Sequence, residues 1–216
     1  MARRCTHSAL SPKGEIYVSD GYSNARIHKF KPDGKLIKSW GAPGTDPGQF
    51  NIVHNIVADA DGWVYVADRE NHRVQVFDGN GKYEAQWNNL HRPSALCRCG
   101  GAKNPTSVIG ELGPAMPVNR KVPNLGPRLS IVDAKGKRIA WLGGEDGPGL
   151  ASGKFLAPHG IALDSTGDRY LGEVGVTKWK TNFPDEEMPA VVRTSRCLQN
   201  WRRWPTFRAR PFHNPI

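Results

Sequence analysis

Two histidines stand at the same place in two copies of one motif. The copies are His54–Asp59, HNIVAD, and His159–Asp164, HGIALD, and an acid follows fourteen positions after each histidine, Asp68 and Glu173. Imidazole is the commonest metal ligand in proteins. A repeat scaffold that points such histidines at a common axis can build a metal site, so the pattern predicts metal-assisted chemistry. A histidine that caps a turn or lines a wet channel is the structural alternative.

The two motifs belong to a longer repeat that glycine turns punctuate. Two full copies, a late half and an early half align, at residues 8–41, 54–87, 128–143 and 159–173. Each full copy holds four short alternating runs, which is typical of an antiparallel meander. The repeat advances 48 residues from Asp20 to Asp68. Four strands at this period indicate a blade of an all-β propeller.

The alignment also sets the expected domain boundaries. Residues 6–189 are expected to form an incomplete propeller, with about four of six blades, and residues 190–216 a basic tail outside it. In the third copy, Glu111 comes 17 residues after Ser94, and the intervening CRCGGAKNPTS lacks strand alternation. A reading-frame error and a genuine loop insertion both explain that break.

Charge separates the tail from the rest of the chain. The net charge is +10, and residues 190–216 hold six arginines and no acid, which leaves +4 (10 − 6) for the remainder. Nucleic-acid binding is therefore expected only through this tail, where Trp201, Trp204 and Phe207 stand among arginines. No apolar run is long enough for a membrane span or a secretory signal. The compartment stays open, with the cytoplasm as the default, and no membrane partner is expected.

Several segments carry a family resemblance. Residues 6–175 resemble NHL repeats. IYVSDGYSNARIHKF (16–30), VYVADRENHRVQVF (64–77), PGQF (47–50) and APHGIA (157–162) resemble the peptidyl-α-hydroxyglycine α-amidating lyase family. The resemblance implies a six-bladed propeller that holds zinc with three histidines. It also implies cleavage of a peptidyl-hydroxyglycine, a small carboxylated or peptide substrate, into a peptide amide and glyoxylate.

The resemblance assigns roles to four residues. His54 and His159 would be two of the three zinc ligands, Tyr22 the catalytic base and Arg69 the arginine that holds the substrate carboxylate. The family's first zinc histidine and a second arginine have no counterpart in this chain. The family's calcium site uses an aspartate beside the last zinc histidine. Gly160 stands there, which puts structural calcium in doubt.

Each assignment has a structural alternative. Tyr22 would pack within its blade, and Arg69 would pair with Glu70 or a neighbouring blade. The recurring acids are expected to fix turns by accepting backbone N–H groups; they are Asp20, Asp68, Glu111 and Glu173. Three histidines off the repeat position are expected at the surface: His28, His72 and His91. The alternatives to a zinc lyase are a non-catalytic NHL propeller that binds protein or RNA and an inactive remnant of the enzyme.

Overall fold

A computed structural model describes residues 4–99 and 105–198, which divide into two compact units at residues 98 and 99. The first unit is built from short strands and one 3₁₀ turn, Arg69–Asn71. Its strands are β1 (Arg4–Leu10), β2 (Ile16–Tyr22), β3 (Arg26–Phe30), β4 (Leu36–Trp40), β5 (Ala42–Pro43), β6 (Gln49–Phe50), β7 (Val53–Ala58), β8 (Val64–Asp68), β9 (Arg73–Phe77), β10 (Tyr83–Trp87) and β11 (Pro93–Cys99).

Two four-stranded antiparallel sheets account for most of this unit. One runs in the order β1-β2-β3-β4 and the other β7-β8-β9-β10, so each is a meander of adjacent strands. The buried apolar residues from both sheets form one core, with Tyr17, Ile27, Phe50, Val64 and Phe77 among them. The predicted four-stranded repeat is confirmed for both full copies.

The second unit repeats the pattern less completely. Its elements are β12 (Thr106–Glu111), a 3₁₀ turn at Pro117–Asn119, β13 (Arg128–Val132), β14 (Arg138–Gly143), β15 (Pro158–Leu163), β16 (Arg169–Glu173), α1 (Gly175–Asn182) and β17 (Ser195–Leu198). β12, β13 and β14 are consecutive antiparallel neighbours, and β15, β16 and β17 form a separate three-stranded sheet. Four such antiparallel blades make the all-β propeller fold that the sequence predicts. Among the described residues no helix is long and apolar enough to cross a membrane.

Strands continue into two segments where the repeat pattern is weak. The segment that begins CRC in the third copy lacks strand alternation, yet β11 extends to Cys99. Residues 190–216 were expected to lie outside the propeller, yet β17 pairs with β16 and adds a strand to the fourth sheet. The tryptophans and the last four arginines of the basic tail lie outside the described residues.

The aspartate that closes each histidine motif fixes a hairpin turn. Asp59 Oδ1 accepts the backbone N–H groups of Asp61 and Trp63 at 3.1 and 2.9 Å. Asp164 Oδ1 accepts those of Thr166 and Asp168, both at 2.9 Å. A carboxylate that accepts two N–H groups stabilises a tight turn. These two aspartates therefore serve the fold.

The recurring acid of each blade is a buried hydrogen-bond centre. Asp68 accepts the N–H of Asn51 at 2.8 Å and side-chain donors from Asn71, Arg73 and Gln75 at 2.9, 2.7 and 3.1 Å. Burial raises the pKa of Asp68, and these donors oppose the shift. The centre ties β8 and β9 to the linker that precedes the blade.

Glu173 repeats this arrangement. It accepts the N–H groups of Leu156 and Ala157 at 2.6 and 3.1 Å and Arg196 Nε at 2.9 Å. Glu111 accepts two bonds from Arg128 and one from the Ser130 hydroxyl. The prediction that the acids bond backbone N–H groups holds for Asp68 and Glu173.

His28 is a partner of the buried acid Asp20. His28 Nε2 lies 3.3 Å from Asp20 Oδ2, and His28 Nδ1 lies 2.7 Å from the Ser39 hydroxyl. His28 is only 5% exposed, so the expectation that it lies at the surface is wrong. It occupies the place in its blade that Gln75 occupies beside Asp68, because both stand two residues beyond the partner of the acid.

Candidate functional site

A β-bulge places each candidate metal ligand. β7 pairs Val53 with Asp68 and Asn55 with Ala67, so His54 is the extra residue between them. β15 pairs Pro158 with Glu173 and Gly160 with Gly172, which leaves His159 in the same position. A bulge takes one residue out of the ladder and re-aims its side chain. The shared phase of the two histidines thus reflects one backbone feature in each blade.

The first blade has the same bulge with a different residue. β1 pairs Cys5 with Asp20 and His7 with Ser19, so Thr6 is the extra residue. Thr6 Oγ1 donates to the Val53 carbonyl at 2.7 Å. His7, one position further on, is exposed, and its Nδ1 lies 3.1 Å from the Ile56 carbonyl. His7 therefore stands one residue after the bulge position that His54 and His159 occupy in their own blades.

A backbone carbonyl orients the His54 ring. His54 is 3% exposed, and its Nδ1 lies 2.8 Å from the Ser94 carbonyl oxygen. A carbonyl only accepts, so Nδ1 carries the proton and Nε2 carries the lone pair of the neutral ring. Metal-binding histidines are commonly held in this way, with the second ring N–H on a carbonyl or carboxylate. The donor chemistry of His54 fits a zinc ligand.

Tyr22 and Arg69 lie beside this histidine. The Tyr22 and His54 rings meet edge to face, with centroids 6.1 Å apart and planes at 87°. Arg69 NH1 donates to the Tyr22 hydroxyl oxygen at 3.1 Å. Tyr22 is 40% exposed, so its ring lines an accessible surface rather than packing within the blade. Three of the four predicted residues come together in the first unit.

Ion pairs with Glu70 hold the Arg69 guanidinium in place. Arg69 Nε donates to Glu70 Oε1 at 2.8 Å, and Arg92 donates to both Glu70 oxygens at 2.8 to 3.1 Å. Burial of Glu70 favours its protonated form, but the hydrogen bond and charge of Arg92, with the charge of Arg69, lower the Glu70 pKa below its ordinary value. The ion pair expected as the structural alternative for Arg69 is therefore present, and the same guanidinium also contacts Tyr22.

The backbone around these residues is held in uncommon conformations. Ile52, Ser23 and Arg92 have φ of +60°, +77° and +53°. The Arg69 and Glu70 N–H groups donate to the carbonyls of Ile52 and Asn51 at 3.1 and 3.0 Å. Left-handed φ values at non-glycine residues persist only where the surroundings enforce them, and they cluster at functional sites.

His159 is in the second unit, at the bulge of β15, and is partly buried. Among the residues that the structure describes, no three His, Cys, Asp or Glu side chains are grouped so as to hold a metal ion. The roles of Glu70 as a holder of Arg69 and of Ser94 as the anchor of His54 were not predicted. Ser94 carries a signal, because Arg92-Pro93-Ser94 aligns with Ala157-Pro158-His159 in the repeat.

One segment of the chain matches a known family of repeats. Residues 50–77 match the NHL repeat family model, a segment that contains His54, Asp68 and Arg69. The chain therefore carries an NHL repeat on blades of an all-β propeller fold. Hydrazine synthase of Kuenenia stuttgartiensis is a similar solved structure, with a TM-score of 0.58 and 13% identity over 80% of this chain and 42% of that one.

Two curated relatives are similar in sequence. The chain is 43% identical over 79 residues to NHL repeat-containing protein 3 of Homo sapiens, which is 35% of this chain and 23% of the relative. It is 41% identical over 75 residues to a probable peptidyl-α-hydroxyglycine α-amidating lyase of Caenorhabditis elegans, 33% of this chain and 21% of the relative. The chain spans less than a quarter of either protein.

Proposed function

We propose that the chain carries the tyrosine–arginine half of a zinc-dependent lyase site, acting on a peptidyl-hydroxyglycine to give an amide and glyoxylate. One observation carries the proposal: Arg69 and a carbonyl-oriented His54, both buried, lie against the exposed ring of Tyr22 in the first unit. The similarity to a lyase of this name supports the same reaction class.

The chain's own groups suit the substrate. Arg69 presents a buried guanidinium whose Nε is held by Glu70, so the rest of its donor fork is oriented before substrate arrives. A carboxylate bound by that fork would lie beside the Tyr22 oxygen. In its phenolate form Tyr22 would then take the proton of the substrate hydroxyl as a general base. As that oxygen becomes the glyoxylate carbonyl, the carbon–nitrogen bond would break, and the amide nitrogen would take its electron pair and receive the proton back from Tyr22.

Zinc is proposed as the cofactor, with His54 and His159 as ligands. His54 would bind through Nε2, because Nδ1 is committed to the Ser94 carbonyl. His159 is supported by its place in the equivalent bulge of its own sheet. Bound zinc would polarise a substrate oxygen as a Lewis acid. Calcium is not proposed, because Gly160 offers no side-chain ligand.

Tyr22→Phe tests the reaction directly. It removes the proton acceptor and keeps the ring, so glyoxylate release from an α-hydroxyglycine peptide should fall about 100-fold or more. Tyr170→Phe is the matched control, because Tyr170 is exposed and its hydroxyl contacts Asp164 in a turn. Equal activity of Tyr22→Phe and wild type would refute the assignment of Tyr22 as the base.

A non-catalytic NHL scaffold is the second candidate. It is favoured by the absence of a three-ligand cluster within the described residues and by the Arg69–Glu70 ion pair, which already gives the arginine a structural partner. If the chain is a scaffold, the wild-type protein should release no glyoxylate, and if it is a lyase, the wild-type protein should release it. The same assay therefore separates the two functions.

A further inference from the structure

The linkers that precede the second and fourth blades share one backbone pattern but have different polar partners. Gly48 and Gly153 each lie two residues before a buried phenylalanine, Phe50 or Phe155, and have φ of +80° and +78°. Opposite Gly48, Gln75 accepts its backbone N–H at 2.9 Å and donates to Asp68 at 3.1 Å. In the second blade the glutamine amide therefore satisfies both the linker and the acid.

Arg196 stands in the place of Gln75 in the fourth blade. Gln75 pairs with the residue two positions before Asp68, and Arg196 pairs with the residue two positions before Glu173. Arg196 keeps the bond to the acid, with Nε 2.9 Å from Glu173 Oε2. A guanidinium has five donors and no acceptor. It therefore cannot accept the Gly153 N–H as Gln75 accepts that of Gly48.

The exchange leaves a donor of Arg196 beside a cavity that Gly153 also lines. The Arg196 side chain is 8% exposed, and its NH2 atom is buried with no hydrogen-bond partner among the described residues. Arg196 and Gly153 both line a cavity of about 290 Å³. A buried donor without an acceptor is costly, since its desolvation is not repaid. The place therefore suits an acceptor that the described residues do not supply.

The other walls of the cavity have the same character. Arg193, Ser152 and Ser195 line it, and within residues 105–198 no acidic side chain does. Arg193 is exposed, which leaves its guanidinium accessible at the cavity. Glu173 lies behind Arg196 and is engaged by Leu156 and Ala157 as well. The cavity thus combines one buried cation, one accessible cation, two hydroxyls and a backbone N–H.

We propose that this cavity is a binding site for a small oxyanion, a phosphate or carboxylate group of a small molecule. The Arg196 NH2 group and the Gly153 N–H donate to its oxygens, and Arg193 supplies the second charge. Charged hydrogen bonds of this kind are the strong ones in proteins. The site shares no residue with the proposed lyase site, and its test is independent of that activity.

The proposal is tested by titrating the full chain with inorganic phosphate and, separately, with sodium acetate. Calorimetry measures the binding of both anions, and ³¹P NMR also measures that of phosphate. We expect saturable binding of at least one anion. The anion that binds more tightly shows whether the site prefers a phosphate or a carboxylate group. Arg196→Gln recreates the arrangement of Gln75, since a glutamine accepts the Gly153 N–H and donates to Glu173. It should keep the fold and weaken binding at least tenfold.

Two further variants make the outcome decisive. Arg193→Ser removes the accessible charge without touching the Glu173 bond and should also weaken binding. Arg26→Gln, at an exposed arginine of β3, makes the same charge change elsewhere and should leave the affinity unchanged. The proposal fails if wild type binds neither anion, or if folded Arg196→Gln and Arg193→Ser both bind as wild type does.

Discussion

At the scale of single residues, Arg69 joins structure and chemistry. Its Nε donates to Glu70 while NH1 donates to Tyr22, so loss of the acid frees one end of the guanidinium. Glu70 also binds Arg92, whose N–H donates to His72 Nδ1 at 3.1 Å. Glu70 is thus a positioning residue, since it acts on the proposed site through the arginine.

Glu70→Gln should cost stability in a pH-dependent way. The folded state lowers the Glu70 pKa from 4.5, so ionised Glu70 stabilises the fold above that value, and this contribution is lost as pH falls through the lower, folded-state pKa. At pH 7 the variant should lose about 2 kcal/mol of unfolding free energy. Urea titrations from pH 7 to pH 3 should show a flatter acid limb for the variant.

Glu84→Gln is the control for this measurement, because Glu84 is an exposed acid that contacts only Lys82 among the described side chains. Its pH profile should match that of wild type. Parallel acid limbs for Glu70→Gln and wild type would contradict the role of Glu70. A raised KM with little change in kcat is expected for the variant if Arg69 holds substrate.

The phase of the repeat pointed to His54 and the family resemblance assigned Tyr22 and Arg69, and the structure brings these three side chains together. Neither the phase nor the resemblance predicted the burial of His28, because a histidine in an outer strand resembles a surface residue until its acid partner is known. Asp20 Oδ2 is the partner, and the repeat alone shows that the same place holds Gln75 next to Asp68. The residues that surround the acid of each blade can therefore be predicted only when the copies of the repeat are compared with one another.

At the scale of elements, β2 and β7 approach each other at one glycine. A Cβ added at Gly21 would overlap the Val53 carbonyl oxygen and lie 2.6 and 2.8 Å from the Val53 C and N atoms. Val53 directly precedes the bulged His54, and Gly21 directly precedes Tyr22. The spacing of tyrosine and histidine therefore depends on a residue without a side chain.

Gly21→Ala should push β7 away from β2. Because the clash involves backbone atoms, which cannot turn aside, we expect a loss of about 3 kcal/mol in unfolding free energy. Gly172→Ala is the matched control, since the nearest atom to its added Cβ is the Gly160 oxygen at 3.8 Å. Chemical denaturation compares the two, and equal stability would contradict the close approach.

Strand alternation and glycine turns predicted the elements of both full copies. They failed at β17, a strand of four residues that follows α1 and a long connection, because so short a run carries little periodicity. They also failed at the third copy, where β11 runs to Cys99 although CRC lacks alternation. Pairing with neighbouring strands, which no single segment reveals, decides such elements.

At the scale of the whole molecule, metal binding should appear as added stability. A ligand that binds only the folded chain raises the unfolding free energy by about 2.7 kcal/mol at a hundred times its Kd. We expect zinc to raise the melting temperature of wild type, and the combined variant His54→Ala, His159→Ala to lose this shift together with bound zinc. Calcium should produce no shift.

The combined variant His7→Ala, His72→Ala controls for that experiment. Both residues are exposed and lie outside the bulges, so zinc should stabilise this protein as it does wild type. Scanning calorimetry and metal analysis after dialysis report the two quantities separately. An equal zinc content in both combined variants would exclude His54 and His159 as ligands.

The bulge gives three blades one position that can change on its own. Its residue lies outside the strand ladder, and Thr6, His54 and His159 occupy it in three blades. A substitution there alters the side chain that the blade presents while the pairing of the flanking residues stays the same. Blades of one fold can therefore carry different polar groups at one location.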